Sequence, residues 1–226
     1  MEEAGIDCSI ILPVVTRPKQ FRTVNSYAAK ITNRERNNGL KVISFGGLHP
    51  DSENWKEELK EIKNMGLLGI KLHPDYQNVF IDDIRYLRIL DYASEIGLIM
   101  VVHAGLDVGL PKVIHCTPKR VKKMLKEIKP ENLVLAHTGG FGCWDEVEEL
   151  LVETDLYFDI SYSLGFIKEE QLIRIIRNHG AKKILFASDS PWGNQKQMLE
   201  QFYNLSLTEE EKKLILSENA IKLLEK

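Results

Sequence analysis

Seven short apolar runs recur along the chain, separated by stretches with helical spacing: Cys8–Leu12, Lys41–Phe45, Leu68–Leu72, Ile99–His103, Leu133–His137, Leu156–Ile160 and Ile184–Ser188. Each run is nearly continuous in apolar residues instead of alternating, which is the pattern of strands covered on both faces. Strands of that kind are parallel and need long crossover connections, which the intervening helical stretches supply. The helix ends are legible too. Thr117-Pro118 forms an N-cap with proline at the first helical position, Thr208 with Glu211 forms a capping box, and Gly66, Gly97 and Gly180 stand just past helical stretches. Between Asp82 and Ile96, the spacing of Ile84, Leu87, Leu90 and Ala93 or Tyr92 predicts a helix with that stripe on the sheet.

Repeated strand–helix units build either an open doubly wound sheet or a closed barrel. No GxGxxG follows an early strand and no GxxxxGK[ST] occurs, so a TIM-type (β/α) barrel is favoured. A closed parallel barrel has eight strands, and only seven runs are present. The opening Met1-Glu-Glu-Ala-Gly5 reads as the last turn of a helix directly before a strand, which puts the first strand of the barrel upstream of Met1. The expectation is therefore one barrel domain over residues 1–226, N-terminally incomplete, with strand edges open beside the gap.

Composition narrows the function classes. Thirty basic against thirty-three acidic residues leave a net charge of -3 with no basic cluster, which argues against a nucleic-acid partner. The three cysteines, Cys8, Cys116 and Cys143, are an odd number without CxxC spacing, so neither a disulfide framework nor a zinc knuckle is expected. No signal segment and no long apolar window is present, so the expected setting is the cytoplasm, with no membrane contact and a small-molecule substrate. An open barrel edge gives such a chain a reason to form a homodimer.

Barrel chemistry sits at the C-terminal ends of the strands. Five runs end in polar residues there: His49 in Gly-Gly-Leu-His49-Pro, Lys71 and His73 in Ile-Lys71-Leu-His73-Pro, His103 in Val-Val-His103-Ala-Gly, His137 in Leu-Ala-His137-Thr-Gly-Gly, and Asp189 in Ala-Ser-Asp189-Ser-Pro-Trp192. A barrel brings these ends to one mouth, and imidazole and carboxylate are the donors a divalent ion such as zinc takes. Lys71 and His73 read either as binders of a substrate carboxylate or as a strand-end salt bridge and a loop hydrogen bond. Trp192 reads as a pocket wall or as a cap on the mouth, and His49, before Pro50, as structural. The loop Ala104–Cys116 carries Asp107, His115 and Cys116 over the mouth, where His115 and Cys116 read as surface-loop residues. Gly139-Gly140 reads as an anion cradle or as a tight turn.

The motifs around His103, His137 and Asp189, with the closing Glu218-Asn-Ala-Ile-Lys-Leu-Leu, resemble the amidohydrolase-related hydrolases and decarboxylases whose type member handles aminocarboxymuconate semialdehyde. The resemblance implies that His103 and Asp189 are metal ligands, for zinc or alternatively manganese. It also implies that His137 is a catalytic group near the metal-bound water and that Asp189 accepts its proton. That family's first strand ends in His-x-His, two further ligands, and no His-x-His occurs here. With two ligands where a catalytic site takes at least three, the metal site is expected to be incomplete. The implied activity is metal-dependent hydrolysis of a small carboxylated or cyclic substrate. The alternatives are nonoxidative decarboxylation, a barrel remnant without metal and, ranked last, a metal-dependent nuclease.

Overall fold

The computed structural model describes residues 1–37, 42–110 and 112–225; Lys41, at the head of the second predicted run, lies outside them. All seven predicted strands are present: β1 Ser9–Ile11, β2 Val42–Ser44, β3 Gly69–Leu72, β4 Ile99–Val102, β5 Leu133–Leu135, β6 Tyr157–Asp159 and β7 Ile184–Leu185. The helices are α1 Phe21–Asn37, α2 Trp55–Asn64, α3 Pro74–Gln77, α4 Ile84–Glu95, α5 Pro118–Glu127, α6 Trp144–Leu150, α7 Glu169–His179, α8 Gln195–Tyr203, α9 Glu209–Lys213 and α10 Asn219–Leu224. Every ladder is parallel and joins consecutive strands, β1 to β2 and β3 through β7, with a bridge from Gly46 to Ile70 linking the two sets. Sequential parallel order with a helix after nearly every strand is the layout of a (β/α) barrel, here with seven strands among the described residues.

Side chains alternate faces along each strand, and both faces are buried. Met100, Val102, Leu133, Leu135 and Phe158 face the helices, while Ile43, Ile99, Val101, Val134 and Tyr157 form a second, interior cluster. Lys71 pairs with Val101, so it shares that interior face, and continuing the register places His73 beside His103. The interior is thus apolar at its floor and polar toward the C-terminal mouth.

Two expectations change. The buried stripe of α4 runs through Tyr86, Ile89, Leu90 and Ala93, whereas Ile84, the first residue after the N-cap Asp83, is 71% exposed on the outer side of the helix. The edge of β7 is also covered. Leu185 O faces β6, and the neighbouring Ile184 O and Phe186 N point the other way, where Asn219 Nδ2 donates at 2.7 Å and Ile215 O accepts at 2.8 Å. Ile215 lies in a π-helical turn, Leu214–Glu218, between α9 and α10. The wider turn accompanies a carbonyl turned toward the strand, and Leu223 completes the interior cluster. A helix thus takes up the strand's unpaired backbone groups. On β1, Ile10 and Ile11 stay 37% and 40% exposed.

Candidate active site

Three consecutive strand ends bring three imidazoles together. His73 and His103 stack with ring centroids 4.1 Å apart, and His103 Nδ1 lies 3.0 Å from His137 Nε2. His73 Nε2 lies 3.3 Å from Asp107 Oδ2, and donor atoms of His73, His103 and Asp107 fall within 4.8 Å of one another. All four residues are buried.

The hydrogen bonds set the protons. His137 Nδ1 faces the Ser161 carbonyl at 2.9 Å, and a carbonyl only accepts, so Nδ1 carries the hydrogen. In the neutral ring Nε2 then accepts from His103 Nδ1, which leaves the lone pair of His103 at Nε2. That atom is buried and has no hydrogen-bond partner. Burial, with Lys71 as a further positive neighbour, pushes His73 down to about 3 and holds His103 well below the usual histidine range. Neutral, lone-pair-bearing imidazoles are the form a metal ion binds. A divalent ion therefore fits this donor set, with His103, His73 and Asp107 in reach and His103 Nε2 left free for it.

His137 is held by Asp159, whose Oδ1 accepts from His137 N at 3.1 Å and Ser161 N at 2.9 Å and also takes the Ser161 hydroxyl. His137, Thr138, Tyr162 and Asp189 all adopt positive φ, the left-handed conformation that non-glycine residues rarely keep without compensating contacts. All four follow strand ends on one rim. Around His137 an aromatic wall extends outward: Phe141 meets its ring edge-on at 6.3 Å, Phe166 meets Phe141 at 5.3 Å, and Tyr162 stacks on Phe166 at 5.0 Å.

The remaining sequence candidates sort clearly. Lys71 is buried on the interior face, and burial lowers its pKa against the nearby Asp159 and Asp189 charges. Asp189 stands on the exposed rim, outside the group of His73, His103 and Asp107. Crowding by protein on its inner side is the main cause that raises its carboxyl, opposed by His137 and Lys71. Trp192 is 75% exposed, at the rim. His49 Nδ1 accepts from Asp51 N at 3.1 Å in a turn, the structural role expected. His115 and Cys116 are buried, unlike surface-loop residues. Bonds from Ile81 N to His115 O and from Gly105 N to Cys116 O fold their segment inward. Gly139-Gly140 makes a tight turn, with Gly140 N donating to His137 O. Asp75, Asp159 and Ser161 were not singled out in the sequence. Asp159 is a lone carboxylate near the end of an apolar run, which is a usable signal; Asp75 follows a proline in a short polar helix, which is not.

The amidohydrolase family model matches residues 13–226, and the chain belongs to that family. Among solved structures, the chain is similar to 5-carboxyvanillate decarboxylase from Sphingomonas paucimobilis, with a TM-score of 0.75 at 14% identity over 100% of this chain and 81% of that one. It is also similar to a dihydroxybenzoic acid decarboxylase from Polaromonas sp. JS666 with bound manganese and 2-nitroresorcinol, with a TM-score of 0.72 at 17% identity over 100% and 83% of the two chains. A TIM-barrel protein from Bordetella bronchiseptica matches with a TM-score of 0.79 at 18% identity over 100% and 80%. The fold is therefore of the TIM-barrel class. No curated protein matches the sequence. Among the described residues no helix is long and apolar enough to cross a membrane.

Proposed function

We propose that the chain is a metal-dependent, nonoxidative decarboxylase of an aromatic carboxylic acid. Of the two chemistries weighed from the sequence, decarboxylation has the better support, because decarboxylases recur among the similar structures, whereas hydrolysis rests on the family description. The observation that carries the reading is the convergence of His73, His103 and Asp107 beside buried Lys71, with an aromatic wall leading out from His137. Manganese, bound in the Polaromonas relative, is the ion proposed, in preference to zinc.

His103, His73 and Asp107 would hold the ion, which supplies positive charge to polarise a bound oxygen. Lys71 anchors the substrate carboxylate, whose arrival offsets the desolvation of its ammonium. Phe141, Phe166 and Tyr162 align the ring, and Trp192 borders the entrance. Asp189, with its raised pKa, carries a proton at neutral pH more readily than an ordinary aspartate and delivers it to the ring carbon bearing the carboxylate. The ring–carboxyl bond then breaks, its electron pair stays on the ring, carbon dioxide leaves, and the arene keeps the proton. His137, fixed by Ser161 and Asp159, orients His103.

The test is carbon dioxide release from 2,6-dihydroxybenzoate and from 5-carboxyvanillate by the manganese-loaded chain, with Lys71→Met and Asp189→Asn as comparisons. Release that both variants lower by at least tenfold supports the reading. A loaded chain that releases none, while hydrolysing small amides or esters, replaces it with hydrolysis.

A further inference from the structure

Asp75 lies beside the strand-end histidines with 1% of its side chain exposed. One oxygen is fully engaged: Oδ1 accepts from His115 N at 3.2 Å and lies 2.9 Å from His115 Nδ1, whose ring is braced at Nε2 by Asn78 Oδ1 at 3.2 Å. The other oxygen, Oδ2, has no partner and points at His103 Nε2 across 4.0 Å. That distance is too long for a hydrogen bond, and neither atom has another partner.

The proton assignments make this gap informative. His103 Nε2 is a lone pair, because Nδ1 gives its hydrogen to His137, and a carboxylate oxygen offers only lone pairs. Two buried acceptors therefore face each other, each costing about 1–3 kcal/mol if left unsatisfied. A shared proton would relieve both only at hydrogen-bond length; at 4.0 Å a cation or a two-hydrogen donor is what spans the pair. A single divalent ion with bonds of about 2.0–2.2 Å to nitrogen and oxygen spans such a gap. His73 competes less well for the same ion, since its Nδ1 already accepts from Tyr76 N at 3.3 Å as the cap of α3. In the neutral ring its Nε2 then carries the hydrogen directed at Asp107, so His73 joins the ion only by giving up its bond from Tyr76 N. Asp75 and Asp107 together supply two negative charges, matching a divalent ion held by neutral imidazoles.

We propose that Asp75 is a ligand of the divalent cation, bonding through Oδ2 opposite His103 Nε2, with His115 as the brace that aims it. The proposal rests on the metal-dependent reading above. Hydrogen-bonded support of this kind is how ligating carboxylates are usually held, and its loss costs about 10–100-fold in affinity.

The test is manganese titration followed by electron paramagnetic resonance on wild type, Asp75→Asn and Asp107→Asn, together with anomalous scattering from manganese-soaked wild-type crystals. Asp75→Asn keeps an oxygen for His115 and turns an amide donor toward His103 Nε2, so it should fold at least as well as wild type while binding manganese at least tenfold more weakly. The crystals should show manganese bonded to Asp75 Oδ2. Wild-type affinity in Asp75→Asn, or manganese density away from Asp75 with water in the gap, overturns the assignment but leaves metal dependence standing if Asp107→Asn is weakened. No manganese binding by wild type overturns both. The crystal result decides the matter if the variant misfolds.

Discussion

Replacing Asp159 tests whether one carboxylate holds the catalytic rim. Its Oδ1 accepts from His137 N at 3.1 Å and from Ser161 N at 2.9 Å, all three residues being buried. Asp159→Ala leaves two buried amide hydrogens without an acceptor, and at about 1–3 kcal/mol each the loss is about 2–6 kcal/mol. The Ser161 hydroxyl adds little, since it can turn to another acceptor. Asp159→Asn keeps an acceptor oxygen and loses only the charge, which at about 1 kcal/mol per bond costs about 2 kcal/mol. Against a typical total of about 5–15 kcal/mol Asp159→Asn should fold, while Asp159→Ala uses up a large share of the total. The assay is urea denaturation at neutral pH, with nitrogen-15 spectra of the histidine rings as a second readout. In Asp159→Asn the His137 ring should keep its hydrogen on Nδ1; in Asp159→Ala the left-handed turn at His137 and Thr138 relaxes and the 3.0 Å contact to His103 is lost. A cost below about 1 kcal/mol for Asp159→Ala, or equal costs for the two variants, would refute the reasoning.

Asn219→Ala removes the amide that donates to both Ala181 O and Ile184 O at 2.7 Å, and should cost about 2–4 kcal/mol in denaturant melts and make the β7 edge prone to self-association, visible by light scattering. On α4, Ile89→Ala should cost about 2–5 kcal/mol while Ile84→Ser stays within about 0.5 kcal/mol, since only the first is buried. Gly105→Ala places a Cβ 2.1 Å from Phe141 N at φ +84, so it should disrupt the bridge to Phe141 and lower the thermal midpoint by several degrees or more. In the metal-free chain, burial lowers His73 to about 3 and depresses His103 as well, so the unfolded chain takes up protons first below about pH 6.5 and stability falls with pH from there. Linkage gives about 1 kcal/mol per histidine between pH 7 and 5.5, partly offset by Asp75 and Asp189, whose raised carboxyls act with the opposite sign. His73→Gln should flatten that slope in urea midpoints measured with chelator, and an unchanged slope would count against the burial argument.

What could be read from the chain was whatever recurs with a period or ends a run. The seven strands, the Thr117 and Thr208 caps and the strand-end residues Lys71, His73, His103 and His137 all carry such local signals, and the structure gathers those four on one interior face. The stripe of α4 differs at its first residue because Ile84 sits at the margin of the apolar arc, whose buried centre runs through Tyr86, Ile89, Leu90 and Ala93. His115 read as a loop residue because nothing in Val-Ile-His115-Cys reveals that Asp75, forty residues earlier, will accept from it in the interior. Asp75 carries no local signal for the same reason. Its neighbours in sequence form a short capped turn, and its significance lies wholly in which atoms the fold leaves without partners.

The same bookkeeping of unpaired atoms explains both ends of the barrel differently. At the β7 edge the strand's spare backbone groups are met by Ile215 and Asn219, so that edge is satisfied from within the chain. At the mouth, His103 Nε2 and Asp75 Oδ2 are left facing each other although suitable donors, such as a threonine or an amide, are easily placed in a turn. The β7 edge is thus satisfied from within the chain, while two acceptors stay opposed in the interior, and the proposed cation is what would meet that deficit. A divalent cation would meet it on charge, on ligand chemistry and on distance, which joins the strand-end His103 to a carboxylate that no strand-end motif contains.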